Sequence, residues 1–149
     1  MAQATPTSSV RTTELASELR LAVMRLSRRL RQHAPADITQ SQLSALAVIV
    51  RDGRLTLSQL AEAERVQPPT ITRIVDALVR AGLVDRSPSE SDRRVAWVTP
   101  TAEGRALIEA TRRRRDAYLA SHLRALSPDD RALLARAAVL LQQLTEDPQ

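Results

Sequence analysis

Pro68 and Pro69 stand side by side between two apolar-striped segments, and no other feature restricts this chain as much. A proline ring lacks the N–H and clashes with the preceding turn, so neither residue can occupy a helix interior. The pair is a turn or the first turn of a new helix. The residues after it, TITRIVDALVRAG, keep Ile71, Ile74, Val75, Leu78 and Val79 on one face and stop at Gly82. Before it, Thr56 and Gln59 form a capping box that opens a helix of two or three turns carrying Leu57, Leu60 and Ala61. Two short helices separated by a tight turn predict a helix-turn-helix.

The flanks predict more helix. From Thr13, Leu15, Leu19, Val23, Leu26 and Leu30 recur at helical spacing to about Gln32, ahead of Pro35, with Arg20, Arg25, Arg28 and Arg29 on the other face. A second capping box, Thr39 with Gln42, opens a helix striped by Leu43, Leu46, Ala47 and Val50 and closed by Gly53. Residues 1–12, rich in Ser, Thr, Ala and Gln, read as a disordered arm.

Beyond Gly82 the periodicity changes. Leu83–Ser87 and Val95–Thr99 are β-prone, and Pro88–Arg94 between them carries turn chemistry, which predicts a two-stranded hairpin. Helix-turn-helix followed by hairpin is a winged helix. In that arrangement the second helix enters the major groove and the hairpin tip reaches the minor groove, whose negative potential attracts arginine. Arg93 and Arg94 lie at the tip, with Asp92 placed to brace one of them. On the second helix the polar face offers Thr70, Arg73 and Thr72, with Arg80 further along and Asp76 limiting the basic patch. Arginine can grip guanine bidentately and a threonine methyl can touch thymine. The plainer alternatives are an amphipathic helix with a solvated face and a charged turn that serves solubility.

Thr99 as cap with Pro100 at the first helical position starts a long helix through Leu107, Tyr118, Leu119 and Leu123 to about Leu126. Gly104, early in that helix, marks either a close backbone approach to the hairpin or an incidental glycine. Ser127-Pro128-Asp129-Asp130 opens the last helix, whose Leu133, Leu134, Ala137, Leu140, Leu141 and Leu144 form a stripe too broad for a helix standing alone. It packs either within the chain or across a symmetric dimer. The expectation is a mainly α (α+β) fold: one domain over residues 13–149, a winged-helix lobe at 38–100 and dimerisation helices at 13–34 and 101–146.

Several function classes are disfavoured. There is no cysteine, which removes disulfides and thiolate metal sites, and no Gly-rich phosphate loop or serine elbow points to an enzyme. All 22 basic residues are arginine, against 17 acids, for a net charge of +5. Trp97 and Tyr118 are the only large aromatics, so single-strand or RNA binding by base stacking is disfavoured. No apolar run nears the ~20 residues that span a bilayer, and the N-terminus has no apolar core of a leader, so no membrane partner and a cytoplasmic location are expected. Arg112–Arg115, between Glu109 and Asp116, reads as a solvated, salt-bridged face ahead of an extension of a phosphate-contacting surface. His33 and His122 make a weak metal pair at best, so neither metal nor cofactor is expected. Met24, His33, Trp97 and Tyr118 are candidates for a small ligand pocket, or equally plain core.

The run from Leu57 to Gly104, with LSQLAEAERV, TRIVDALVRAGLVDR, SDRR and VTPTAEG in that order, resembles the MarR family of bacterial winged-helix regulators. The resemblance covers about a third of the chain and lies in the order and spacing of the segments. It implies a homodimer on palindromic double-stranded DNA, most often as a repressor. Thr70, Thr72 and Arg73 would lie at the major groove and Asp92, Arg93 and Arg94 at the minor groove; Gln67 and Pro69 are further expected DNA contacts, and Arg86 is expected on phosphate. Many relatives are released by a small aromatic or phenolic effector, others by thiol oxidation, which this chain lacks the cysteine to use. The readings from other classes are a helical homodimer acting as a protein-interaction module and a non-specific DNA binder. Salt dependence and competition by duplex DNA separate them.

Overall fold

The computed structural model describes residues 11–89 and 95–145. Six helices and three short strands follow in the order α1 (Thr12–Arg31), α2 (Gln40–Asp52), β1 (Leu55–Thr56), α3 (Leu57–Glu64), α4 (Pro68–Arg80), β2 (Val84–Pro88), β3 (Ala96–Pro100), α5 (Ala102–Arg124) and α6 (Pro128–Gln143). The fold is mainly helical with a small antiparallel sheet.

Both capping boxes form: the Thr39 and Thr56 hydroxyls accept the Gln42 and Gln59 amides, and each glutamine side chain returns the bond. Pro68 and Pro69 occupy the first turn of α4, where a missing N–H leaves no acceptor wanting. The turn before them is closed by Arg65, a non-glycine residue at φ 53°. Gly53 ends α2 at φ 81°, a conformation a side chain would resist.

Two expectations need correction. The wing has a third strand: Leu55 pairs with Val98 and Thr56 with Trp97, giving the order β1-β3-β2. A two-residue strand has no periodicity to detect, and Thr56 serves at once as strand end and helix cap. The long helix also starts two residues later than expected. Thr99 and Pro100 belong to β3, and Thr101 is the cap, accepting the Gly104 amide at 3.0 Å while its hydroxyl donates to the Gly82 carbonyl at 2.8 Å. Pairing of β3 with β2, Val84 opposite Pro100 through Pro88 opposite Ala96, outweighs a local capping preference that Thr101 satisfies equally well.

The same junction explains Gly104. A Cβ there would collide with the Leu83 carbonyl oxygen, so the glycine is a close approach and not incidental.

The core belongs to the winged lobe. Leu43, Leu46 and Ile49 of α2 pack with Leu60 of α3, Ile71, Val75 and Leu78 of α4, Val84 and Val98 of the sheet, and Ile108 of α5. Val79, expected on the buried face of α4, is exposed, and Ile74 only half-buried. The helices α1 and α6 bury no residue at all. Leu15, Val23 and Leu26 on one, and Leu133, Leu134 and Leu140 on the other, stay open to solvent. Within the described chain, packing does not cover these stripes. Of the expected arm, residues 1–12, positions 1–10 lie outside the described residues, and its last two belong to the first helix, Arg11 as cap and Thr12 as its start.

Candidate nucleic-acid interface

The helix α4 is presented on a rigid base. Its inner face is fully buried through Ile71, Val75 and Leu78, so its outer residues are held without freedom to tilt. Gln67 caps it without a side-chain bond, and Gln67 and Pro69 are exposed. Thr70 is half-buried and Arg73, one turn on, is exposed. Thr72 differs from the expectation of a free polar contact: its hydroxyl donates to the Pro68 carbonyl at 2.9 Å. A base-edge contact from this residue would therefore come from its methyl.

The start of α2 borders the same face. Thr39, Ser41 and Gln42 line a shallow cleft of about 270 Å³ together with Thr70, Arg73 and Ile74. In the sequence, Thr39 and Gln42 show only their capping role. Ser58, at the start of α3, shares a smaller cleft of about 140 Å³ with Arg86, Val95 and Ala96 at the root of the wing. Thus the start of α2 lies beside the start of α4, and the start of α3 beside the base of the hairpin.

Arg86, expected on phosphate, is engaged elsewhere. Its Nη1 donates to Asp76 Oδ1 at 3.1 Å, tying β2 to α4. Both side chains remain more than a third exposed, so the pair contributes at most about 1 kcal/mol and can open toward a stronger anion. Asp92, Arg93 and Arg94, the expected wing tip, lie outside the described residues.

The four candidates for a ligand pocket do not converge. Trp97 lies in β3, with the Arg54 guanidinium 4.4 Å over its ring, a cation–π contact on the sheet. Met24 is exposed on α1, its sulfur 3.7 Å from Arg20 Nη1. His33 and Tyr118 do meet, with ring centroids 4.5 Å apart, and His122 lies against the other side of this contact, 4.3 Å from the tyrosine, both pairs tilted by about 40°. Tilted ring contacts of this kind are compatible with plain packing.

The four-arginine run on α5 is only partly the solvated face expected. Arg112 and Arg113 reach Glu109 at 3.9 and 3.7 Å, exposed and spaced one helical turn away. Arg115 is half-buried, and its Nε and Nη2 have no hydrogen-bond partner among the described residues.

The lobe matches a known pattern. The model of the MarR family fits residues 38–96. An HTH-type transcriptional regulator of Mycobacterium tuberculosis is 42% identical over 134 residues, 89% of this chain and 94% of the relative. The chain belongs to the MarR family. The transcriptional repressor MdtR of Bacillus subtilis is 31% identical over 109 residues, covering 73% of this chain and 70% of that protein. A putative transcriptional regulator of Pseudomonas aeruginosa, solved by crystallography, superposes with a TM-score of 0.80 at 39% identity, over 89% of this chain and 94% of the other. As a MarR-family member the chain is a DNA-binding transcriptional regulator and not an enzyme. None of its described helices is long and apolar enough to cross a membrane.

Proposed function

We propose that this MarR-family chain is a homodimeric repressor that occupies a palindromic operator. The observation that carries the reading is α4: its inner face is locked in the core while Gln67, Pro69, Thr70 and Arg73 face outward beside the first turn of α2. In this reading each α4 reads one half-site in the major groove, with half-sites about one duplex turn, ~10 base pairs, apart. Arg73 grips a base edge and the Thr72 methyl supplies an apolar contact. Asp92, Arg93 and Arg94 form a wing tip at the minor groove, and Arg86 leaves Asp76 for a phosphate on binding.

The dimer is supported by the uncovered stripes of α1 and α6, which are too apolar to remain in water. Two copies packed through these helices would set the two α4 helices in a fixed spacing. The sign of regulation is supported by the relative MdtR, named a repressor. Relief by a small-molecule effector completes the proposal, since a lobe joined to long helices can be tilted by a ligand between them.

The test is selection of bound duplex fragments by the purified full chain at two salt concentrations. A palindromic motif with the spacing above is expected, and its affinity should fall steeply with salt as phosphate contacts release counterions. Featureless binding would instead mark a non-specific DNA binder, and no binding a protein-interaction dimer.

A further inference from the structure

The winged lobe and the long helix α5 meet in two ways. One is apolar: Ile108 of α5 joins the core of the lobe, and a Cβ on Gly104 would meet Leu83 and Leu46. Apolar contact holds surfaces together but is non-directional, so it does not fix the angle between them. The other is polar and runs through one residue. Thr101 donates its amide to the Leu83 carbonyl at 3.1 Å and its hydroxyl to the Gly82 carbonyl at 2.8 Å, while the same hydroxyl oxygen accepts the Gly104 amide at 3.0 Å.

These three bonds join the end of α4 to the start of α5. Gly82 lies two residues beyond α4 at φ 71°, where its amide closes back on Val79 and the Leu83 amide on Leu78. The Gly82 carbonyl is left outside the helix ladder, and the Thr101 hydroxyl is the donor that meets it. Capping α5 requires only an acceptor, which aspartate or asparagine would supply equally well. Thr101 does more than cap, because its proton crosses the junction. Hydrogen bonds are directional, so this pair of contacts sets the angle at which the lobe stands on α5.

That angle governs reach. Arg73 stands nine residues before Gly82, about 14 Å along the helix at about 1.5 Å per residue. Rocking by about 7° about Gly82 moves Arg73 by ~1.7 Å, and the same motion in a second copy brings the change in separation to ~3.4 Å, one base-pair step. Resting on the operator-binding homodimer proposed above, we infer that Thr101 is the positioning residue that fixes the spacing of half-sites the dimer accepts. It acts through the tie from α5 to the end of α4 and needs no contact with DNA.

Two substitutions separate the tie from the cap. Thr101→Ser keeps both. Thr101→Asp keeps the acceptor for Gly104 but, ionised, has no proton for Gly82. Thr101→Gly, which removes the hydroxyl at little cost to a cap, replaces it if the aspartate variant does not melt cooperatively. The full chains are titrated against duplexes carrying the palindrome recovered by fragment selection, with the spacer between half-sites native, one base pair shorter and one longer. The parent should prefer the native spacing by about tenfold or more, the scale of a misplaced base contact. Thr101→Asp should lower that preference by about fivefold, the scale of one neutral hydrogen bond, and Thr101→Ser should match the parent. A role in stability alone would weaken binding at all three spacings together and leave the preference unchanged.

A second readout needs no DNA. The chain has no cysteine, so Ala63→Cys, exposed on α3, takes a single spin label, and dipolar spectroscopy reads the label-to-label distance in the dimer. Thr101→Asp should broaden or shift that distance and Thr101→Ser should not. The proposal is overturned if the aspartate variant keeps either the parent's label distance or its spacing preference, or if the serine variant loses either. A parent with no palindromic preference would remove the operator reading and leave the label distance to decide whether Thr101 sets the angle of the lobe. A monomeric parent, which gives no label distance, removes the dimer and this proposal with it.

Discussion

Gly104→Ala tests the junction between the wing and the long helix. An alanine Cβ would overlap the Leu83 carbonyl oxygen and lie 3.1 Å from its carbon and 3.2 Å from Leu46 Cδ1. Neither side can yield cheaply. The Leu83 carbonyl accepts the Thr101 amide at 3.1 Å, the Leu83 amide donates to Leu78 at 3.0 Å, and Thr101 Oγ1 holds Gly82 at 2.8 Å. Overpacking of this kind costs about 1–3 kcal/mol, with a backbone oxygen as obstacle placing it at the upper end. Alanine returns about 1 kcal/mol of helix propensity. The net loss should be about 1–2 kcal/mol, which lowers Tm by roughly 2–8 °C for a chain of this size. Thermal unfolding of parent and variant at one protein concentration is the assay, since dimer coupling makes Tm concentration-dependent. A Tm equal to or above the parent's would refute the close-approach argument and restore the incidental glycine.

Other perturbations address the remaining contacts. Arg73→Ala should lower discrimination at one base pair by about 1–3 kcal/mol while leaving affinity for random duplex unchanged; equal loss on both would remove Arg73 from base readout. Arg86→Ala removes the phosphate contact that Arg86 takes up on leaving Asp76, so a plot of log affinity against log salt should become shallower by about 0.9. An unchanged slope would mean that Arg86 does not seek phosphate. Leu140→Glu places a charge at a site 60% exposed in the single chain, so helix content should hold while sedimentation shifts from dimer to monomer; a persisting dimer excludes this face. At the end of α2, the hydrogen bond from Arg51 at 2.6 Å holds the Asp52 carboxyl below its ordinary range. A lowered folded value means stabilisation that is present above the unfolded value, about 3.9, and lost as pH falls through the folded one. Asp52→Asn should therefore flatten the stability profile below that pH, and identical acid profiles would show the pair to be inert.

How much is legible in the sequence follows from the range of the forces involved. The capping boxes at Thr39 and Thr56, the double proline opening α4 and the glycines at 53 and 82 act over three or four residues, so the order of residues displays them directly. The same holds for the hairpin and for the winged-helix topology that the order of elements dictates. The outward positions of α4 follow from periodicity, although Val79 falls on the other side of the boundary because a stripe does not say how wide its cover is.

What tertiary structure alone decided involves partners distant in sequence. Leu55 becomes a strand only because Val98 is beside it, and Thr101 outcompetes Thr99 as a cap because β3 has already claimed Thr99. Arg86 finds Asp76 ten residues away on another element, and Arg54 finds Trp97 across the sheet. Arg115 sits in a run of four identical residues that composition cannot tell apart. The packing of α5 against α2 turns this one guanidinium away from water, because a helix surface is divided by what lies against it and not by the letters along it.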